Sequence, residues 1–417
     1  MTNAVTNKPE PGPEQSGLPG KAEFPWYLAS SSAWLGAISL QGFLVTWLLV
    51  GTLETPADEV GLIRSLLELP AILVLVGGVV ADRMDPRKLL QWAHVAIAVP
   101  PLIVAATYTS GNLNLWVVVA FGMVMVTLQG LSDPARQTML NQITRIDIQR
   151  TVTLTTIVTS LVGILAMWIG GKLETIGLTK ILLIQSGFFL LGLLAINRLS
   201  PIPHQTPSKR VNLVQGFRTA MGFKLVRNLI GLNFASSLFN AGAYIIAIPF
   251  IVKDVYSGDA AFYANVIIVF TCGSVGSNLI LFKFMPLLKP GRLFLILQLS
   301  RVLILGLLLT EPSLPLFYLG IFAWGLNMGG TTTMARAIVQ ESAPEKQRAQ
   351  ILSILTFSFM ISAFISAPIL GIIVNTYSPL AALVPGIFVS FFIFTIGYLK
   401  SGLWQYQSAA AFPSSTN

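Results

Sequence analysis

Three charged residues interrupt long apolar runs of this sequence. Glu68 lies near the middle of the run 57–80, four residues after Arg64, and Arg301 lies near the centre of the run 292–310. If these runs cross a membrane, each charge costs on the order of 2.5–3.5 kcal/mol on insertion scales. A carboxylate in that position is neutralised by a proton or a partner, and proton uptake there can be coupled to transport.

Two interpretations of each charged residue remain open. Arg64 and Glu68 are four positions apart and share one helix face. Glu68 is therefore either a proton-coupling group that Arg64 assists, which we favour because charges inside membranes usually mark function, or half of a permanent ion pair. Arg301 either binds an anionic substrate or is held by a structural partner or by snorkelling to the membrane interface.

The composition indicates that the segments that carry these charges lie in lipid and not in water. The chain has 417 residues, of which 54% are hydrophobic and 10% are charged, against about 25% charged in soluble domains. An ordinary soluble enzyme or nucleic-acid binder is excluded. One cysteine, Cys272, and two histidines, His94 and His204, disfavour a disulfide framework or a metal site, and we expect no cofactor.

Twelve apolar runs are long enough to cross a bilayer as helices. They are continuously apolar, whereas membrane strands alternate, so we predict an all-α membrane protein. The predicted spans are residues 26–50, 57–80, 90–109, 114–133, 151–171, 179–197, 228–252, 261–283, 292–310, 314–336, 350–374 and 380–400.

The basic residues predict the orientation. Of the 26 Lys and Arg, 21 fall on the side of the N-terminus, and only Lys172, Lys180 and Lys253 fall on the opposite side. Cytoplasmic loops are rich in Lys and Arg, so we expect both termini in the cytoplasm of a multi-pass protein of the plasma membrane, bacterial inner membrane included. The basic segments are short and lie beside spans, which argues against nucleic-acid binding.

The spans fall into two equal sets. A basic linker, 198–227, separates six spans in 26–197 from six in 228–400, flanked by a disordered tail, 1–25, and a cytoplasmic tail, 401–417. Ala135-Arg136 and Ala335-Arg336 lie 200 positions apart at equivalent places in the two sets. An internal repeat of two pseudo-symmetric six-helix bundles follows.

The segment after the second span resembles the hallmark loop of the major facilitator superfamily, with Asp85-Pro86 replacing the usual second glycine. Two further segments, Asp133-Pro134-Ala135-Arg136 and Gln340-Glu341-Ser342-Ala343-Pro344-Glu345, resemble the branch of the enterobactin exporter and macrolide efflux proteins. The resemblance implies a cytoplasmic gate that latches the two halves. Its predicted residues are Gly78, Asp82, Arg83, Arg87, Lys88, Asp133 and Arg136.

The resemblance also implies which helices line a substrate cavity. Polar and aromatic residues on these helices suit an amphipathic organic molecule, although each could equally join helices by hydrogen bonds. The candidates are Gln41, Gln129, Asn233, Asn240, Tyr244, Trp324 and Asn327, with Arg301 if its helix faces inward.

We therefore predict a secondary active transporter that works by alternating access. The resemblance implies proton-coupled export of a small amphipathic compound of drug or siderophore type. An importer of a small organic solute and a lipid flippase of the same fold are the alternatives. An enzyme is disfavoured because the sequence holds no clustered catalytic side chains and no Walker A motif. The expected partners are the substrate, protons and the lipid bilayer, and we expect a monomer.

Overall fold

The structure, a computed structural model, describes residues 23–70, 84–143, 148–200, 217–218, 221–344 and 348–408. Within these ranges the regular elements are helices and no strand occurs. The main helices are α1 Phe24–Trp47, α2 Ala57–Glu68, α3 Pro86–Thr109, α4 Leu115–Ile143, α5 Ile148–Gly170, α6 Leu178–Ile196, α7 Lys224–Phe250, α8 Ala260–Phe284, α9 Pro290–Leu309, α10 Leu314–Ser342, α11 Arg348–Thr376 and α12 Val384–Lys400.

In the described part of the chain, nine helices are long and apolar enough to cross a membrane. They correspond to α1, α3, α4, α6, α7, α8, α9, α11 and α12. Of the other predicted spans, α5 contributes a shorter apolar stretch, Leu154–Gly170, and α10 carries Asn327 and three consecutive threonines. The prediction of an all-helical membrane protein is confirmed at this level.

Helix boundaries follow local chemistry. At the start of α3, Asp85 Oδ1 accepts a hydrogen bond of 2.9 Å from the backbone N–H of Arg87, and Pro86 occupies the first turn. An aspartate N-cap followed by proline is a strong helix start, so the Asp-Pro pair does form the turn expected of it. At their far ends, α1 and α7 each finish in one π-helical turn, Leu48–Thr52 and Ile251–Val255.

Two helices continue beyond the predicted spans. The sequence predicts spans at 114–133 and 314–336, whereas α4 continues to Ile143 and α10 to Ser342. Polar residues extend both helices beyond the apolar stretch, and Pro134 is accommodated inside α4. Asp133 and Arg136 consequently lie within a helix and not in a loop.

The helices pack in two sequence-local groups with contacts between them. Among α1–α6, α1 packs against α5 and α6, and α3 packs against α4 and α6. Among α7–α12, α8 and α9 pack against α10, while α7 packs against α11 and α12. Across the groups, α2 lies along α11 and α5 meets α8.

Contacts between the two groups concentrate at the end of the molecule that carries residues 52–56 and 256–260, which we call the closed end. The ring of Tyr263 stacks on Phe43 at 5.4 Å and on Trp47 at 5.5 Å. Lys253 Nζ donates to the carbonyl of Val50 at 2.9 Å and lies 3.4 Å from a carboxylate oxygen of Glu54. These contacts join α1 to α7 and α8.

Glycines permit the close crossing of α2 and α11. A Cβ atom on Gly61 would collide with the carbonyl oxygen of Ala367, and one on Gly371 would collide with that of Ala57. Small residues that let backbones approach are typical of helix crossings in membranes. The two glycines therefore hold α2 against α11 near the closed end.

The last described residues are not a free tail. Arg292 Nε donates to the carbonyl of Trp404 at 2.9 Å, and the N–H of Ser408 donates to Leu288 at 3.0 Å. Tyr406 donates to Glu341 Oε2 at 2.9 Å, and partial burial raises the pKa of this phenol, so the donor stays protonated. Residues 401–408 thus pack against α9 and α10, and the cytoplasmic location of the tail from 401 stays a prediction.

Candidate substrate cavities

A polar cavity of about 370 Å³ lies among α7, α8, α10 and α11, and we call it the C-terminal cavity. Its wall is rich in hydroxyl and amide side chains, with Phe270 and Phe359 supplying aromatic surface. The polar lining residues are Asn233, Ser236, Ser237, Ser274, Asn278, Thr331, Thr332, Thr333, Arg336 and Thr356. Of the predicted cavity residues, Asn233 belongs to this wall, and its role toward a substrate stays a prediction.

Arg301 lies behind this wall and is fully buried, with 0% exposure. Its Nε donates to Asn327 Oδ1 at 2.7 Å. One terminal nitrogen donates to Ser236 at 2.7 Å and to Gln298 at 3.2 Å, and the other donates to Thr331 at 3.1 Å. The side chain thus joins α9 to α7 and α10 through neutral oxygens.

The environment of Arg301 is a set of neutral hydrogen-bond partners and not an ion pair. No carboxylate lies within ion-pair distance among the described residues, and zero exposure excludes snorkelling. Two of its acceptors, Ser236 and Thr331, are themselves cavity-lining residues. The helix α9 packs mainly against α10 and α12, yet its Arg301 side chain reaches two residues of the cavity wall.

A second cavity of about 380 Å³, the N-terminal cavity, is lined by α1 and α4. The predicted residues Gln129, Asp133 and Arg136 all belong to its wall. The Arg136 guanidinium lies 4.1 Å from the centre of the Trp34 ring and its Nε lies 3.8 Å from Asp133. A cation over an aromatic face with an acid beside it is an internally balanced arrangement.

Glu68 lines a third cavity of about 320 Å³ against α11. The other lining residues are apolar: Leu69, Phe357, Met360, Ile361, Phe364 and Ile365. Arg64, one turn earlier, directs Nη2 toward the carbonyl of Gly42 at 3.4 Å, and no ion pair joins Arg64 to Glu68 in the described structure. Arg64 still acts on the charge of Glu68 at longer range, so proton coupling and static pairing both stay open.

Several predicted cavity residues serve as helix contacts. Asn240 is fully buried and donates to Ser236 O and Ser390 Oγ, which joins α7 to α12. Tyr244 stacks on Phe270 at 4.1 Å and meets the buried Trp324 edge-on. The Asn327 amide accepts from Arg301 and donates to the Leu297 carbonyl and the Ser300 hydroxyl of α9. Gln41 is buried on α1.

The predicted gate is described only in part. Gly78, Asp82 and Arg83 lie outside the described residues. Arg87 donates to the carbonyl of Asn197 at 2.8 Å, which fastens α3 to the end of α6, and Lys88 is exposed. The latch between the halves stays a prediction.

Sequence reasoning missed Ser236, Thr331, Gln298 and Lys253. Hydroxyl side chains carry little weight in a hydropathy profile, so Ser236 and Thr331 gave no signal by themselves. The run Thr331–Thr333, immediately before the repeated Ala335-Arg336 pair, was the available signal. No three His, Cys, Asp or Glu side chains lie close enough to hold a metal ion in the described ranges.

The comparisons with known proteins give the family. The model of the transmembrane secretion effector family matches residues 25–415. The chain belongs to this family of major facilitator transporters. No curated protein matches by sequence.

Solved structures share the fold at low sequence identity. The nucleoside transporter NupG has a TM-score of 0.73 at 14% identity, over 92% of this chain and 98% of that one. A bacterial homologue of the human lysosomal transporter Spinster, in an inward-facing and unoccupied conformation, gives 0.70 at 12%, over 92% and 98%. A D-xylose–proton symporter gives 0.66 at 13%, over 89% and 96%.

The family and the fold make the chain a membrane transporter of the major facilitator type. The prediction of that superfamily is confirmed. The named neighbours include a nucleoside transporter and a sugar symporter, so likeness of fold does not carry the export direction, the substrate or the enterobactin and macrolide branch.

Proposed function

We propose that the chain is a proton-coupled exporter of a small amphipathic organic compound. The single observation that carries the proposal is Glu68, a half-buried carboxylate that forms no direct ion pair in the described structure, at the contact between α2 and α11. In this proposal α1–α6 and α7–α12 form two six-helix bundles that rock against each other. The family's name favours movement of the substrate outward.

The arrangement of contacts supports an inward-facing state. With the termini in the cytoplasm, the closed end faces outward, and its stack of Phe43 and Trp47 on Tyr263 seals the external side. The N-terminal and C-terminal cavities lie along the parts of α1, α4, α7 and α10 remote from that end. The compound would enter these cavities from the cytoplasm or the inner leaflet.

Glu68 is well situated to connect a proton to the rocking motion. Its neighbour Ser65, one turn away on α2, donates to the carbonyl of Phe364 on α11 in a close contact. A change of charge on Glu68 therefore acts directly on a contact between the proposed bundles. A proton bound to Glu68 would remove the cost of holding its charge in apolar surroundings.

The cavity walls support an amphipathic organic substrate. Aromatic rings from Trp34, Phe270 and Phe359 lie beside hydroxyl and amide groups, a mixture typical of small-molecule sites. Import of a small organic solute is the second candidate, because two of the neighbouring folds are a nucleoside transporter and a sugar symporter. The experiment must therefore report direction as well as coupling.

Proteoliposomes containing a pH-sensitive dye test coupling. A substrate found by thermal stabilisation of the purified protein is applied as a gradient, and the internal pH is followed. The wild type should move protons against the substrate, whereas Glu68→Gln should not. Glu59→Gln, an exposed acid on the same helix, is the matched control and should couple normally. Full coupling by Glu68→Gln, or symport with the substrate, would contradict the proposal.

A further inference from the structure

The C-terminal cavity has an unbalanced positive charge. Arg336 is part of its wall, and Arg301 lies directly behind Ser236 and Thr331. No Asp or Glu belongs to the described residues that line it. A cavity with one guanidinium group in its wall, a second one behind that wall and no acid among the described lining residues attracts anions.

The charge of Arg301 is not neutralised by its own environment. Its four acceptor side chains are two hydroxyls and two amides, namely Ser236, Thr331, Gln298 and Asn327. Burying an unpaired charge is costly even when its hydrogen bonds are made. A counter-charge in the adjoining cavity would remove part of that cost.

Gln298 is a neutral amide at a position beside Arg301 where a glutamate could supply a counter-charge. It is fully buried, its Oε1 accepts from Arg301, and its Nε2 has no hydrogen-bond partner in the described structure. A glutamate of nearly the same shape would pair with Arg301 without losing a donor contact. The chain carries the amide instead, so the positive charge remains available to the cavity.

The N-terminal cavity lacks this imbalance. Arg136, the counterpart of Arg336 at 200 positions' distance, lies 3.8 Å from Asp133 and covers the Trp34 ring. At the position equivalent to Asp133 in the other half stands Thr333, which lines the C-terminal cavity. The two cavities are thus chemically different, one balanced and aromatic, the other cationic and rich in hydroxyls.

We propose that the C-terminal cavity binds an anionic group of the substrate, a carboxylate, sulfonate or phosphate. Arg336 contacts the anion, and Arg301, which lies behind Ser236 and Thr331, stabilises the anion electrostatically across the wall. This inference rests on the proposed transport function and defines its substrate as an organic anion. The apolar part of the substrate would then lie against Phe270 and Phe359.

A matched pair of probes tests this charge preference by calorimetry on the full-length purified protein. Naphthalene-2-sulfonate carries the anion, and naphthalene-2-sulfonamide has the same skeleton without charge. A hydrogen bond to a charged group is worth enough to give a preference of about tenfold for the sulfonate. Gln298→Glu and Arg336→Gln should each reduce that preference to about twofold or less.

Two controls separate the anion site from a purely structural Arg301. Lys283→Gln removes an exposed charge on α8 outside the cavity wall and should leave the preference unchanged. Gln298→Glu should also raise the melting temperature, because it pairs Arg301. A higher melting temperature with an unchanged sulfonate preference would mean that Arg301 only joins helices, and would overturn the proposal.

The outcome is independent of the coupling experiment. Equal binding of the two probes by the wild type overturns the anion site and leaves proton coupling by Glu68 untouched. A sulfonate preference that depends on Gln298 and Arg336, together with absent proton coupling, supports the anion site and contradicts the proposed coupling.

Discussion

At the residue scale, buried charge is handled in three ways in this protein. Arg136 is balanced by Asp133 and by the face of Trp34. Arg301 is solvated by neutral side chains from three helices. Glu68 has neither arrangement in the described structure and faces an apolar cavity. The least compensated groups are those that we assign to the proton and to the substrate, because an uncompensated charge gains most from binding.

Removing Arg301 should destabilise the protein. Arg301→Met strands four polar acceptors inside the bundle, and side-chain hydrogen bonds in membrane proteins average about 0.6 kcal/mol each, so we expect a loss of about 2–3 kcal/mol. Arg301→Lys should recover part of it. Arg292→Met, which removes one hydrogen bond and one cation–π contact with Trp404 from the same helix, should cost less. Melting temperatures in detergent measure the order, and equal losses would contradict it.

At the element scale, α2 and α11 can cross closely because glycines without side chains lie at their contact. Gly61 and Gly371 bring each helix against a backbone carbonyl of the other. The same crossing carries Ser65 and Glu68, so the glycines fix the distance at which the proposed proton site meets α11.

Gly61→Ala should force α2 away from α11. The added methyl group meets the backbone at Ala367, which cannot move aside like a flexible side chain, so we expect a lower melting temperature. Gly187→Ala on α6 is the matched control, because nothing lies within 4 Å of the added methyl group. There alanine should be neutral or stabilising by up to about 1 kcal/mol. A destabilised Gly187→Ala beside an unaffected Gly61→Ala would refute this account of the crossing.

At the scale of the whole molecule, the closed end decides which side of the cavities is sealed. Lys253 is one of the three lysines that violate the charge bias expected of the cytoplasmic side. Its ammonium group donates to the Val50 carbonyl and pairs with the Glu54 carboxylate, which joins the ends of α1 and α7. Contacts of this kind exist in one state of an alternating transporter and are broken in the other, so they set the population of each.

Lys253→Gln should shift the population away from the closed external end. Loss of about 1 kcal/mol of contacts changes the equilibrium about fivefold. In a Cys272→Ser background, a cysteine at Ser39 in the N-terminal cavity should then react more slowly with an impermeant maleimide applied from the cytoplasmic side. Lys180→Gln, an exposed lysine on the same side, is the control and should leave the rate unchanged. An unchanged rate in Lys253→Gln would show that the contacts of Lys253 with Val50 and Glu54 do not control the closed end.

Hydropathy and charge by themselves determined the class of this protein. Continuous apolar runs require helices in lipid, since an unpaired backbone is too costly there, and the bounds of most helices follow to within a few residues. Sequence also singled out Glu68 and Arg301, because few charges occur in such runs. The helices α4 and α10 continue beyond the predicted spans, since helical hydrogen bonds continue past the point where side chains become polar.

Only the tertiary structure decided what each buried polar group touches. Asn233, Asn240 and Asn327 are asparagines in similar apolar runs. Asn240 and Asn327 join helices by hydrogen bonds, whereas Asn233 lines a cavity. The difference lies in helix rotation and in partners many residues away, such as Ser390 for Asn240 and Arg301 for Asn327. The neutral shell of Arg301 and the acid beside Arg136 were likewise invisible in sequence, because both depend on which helix faces lie together.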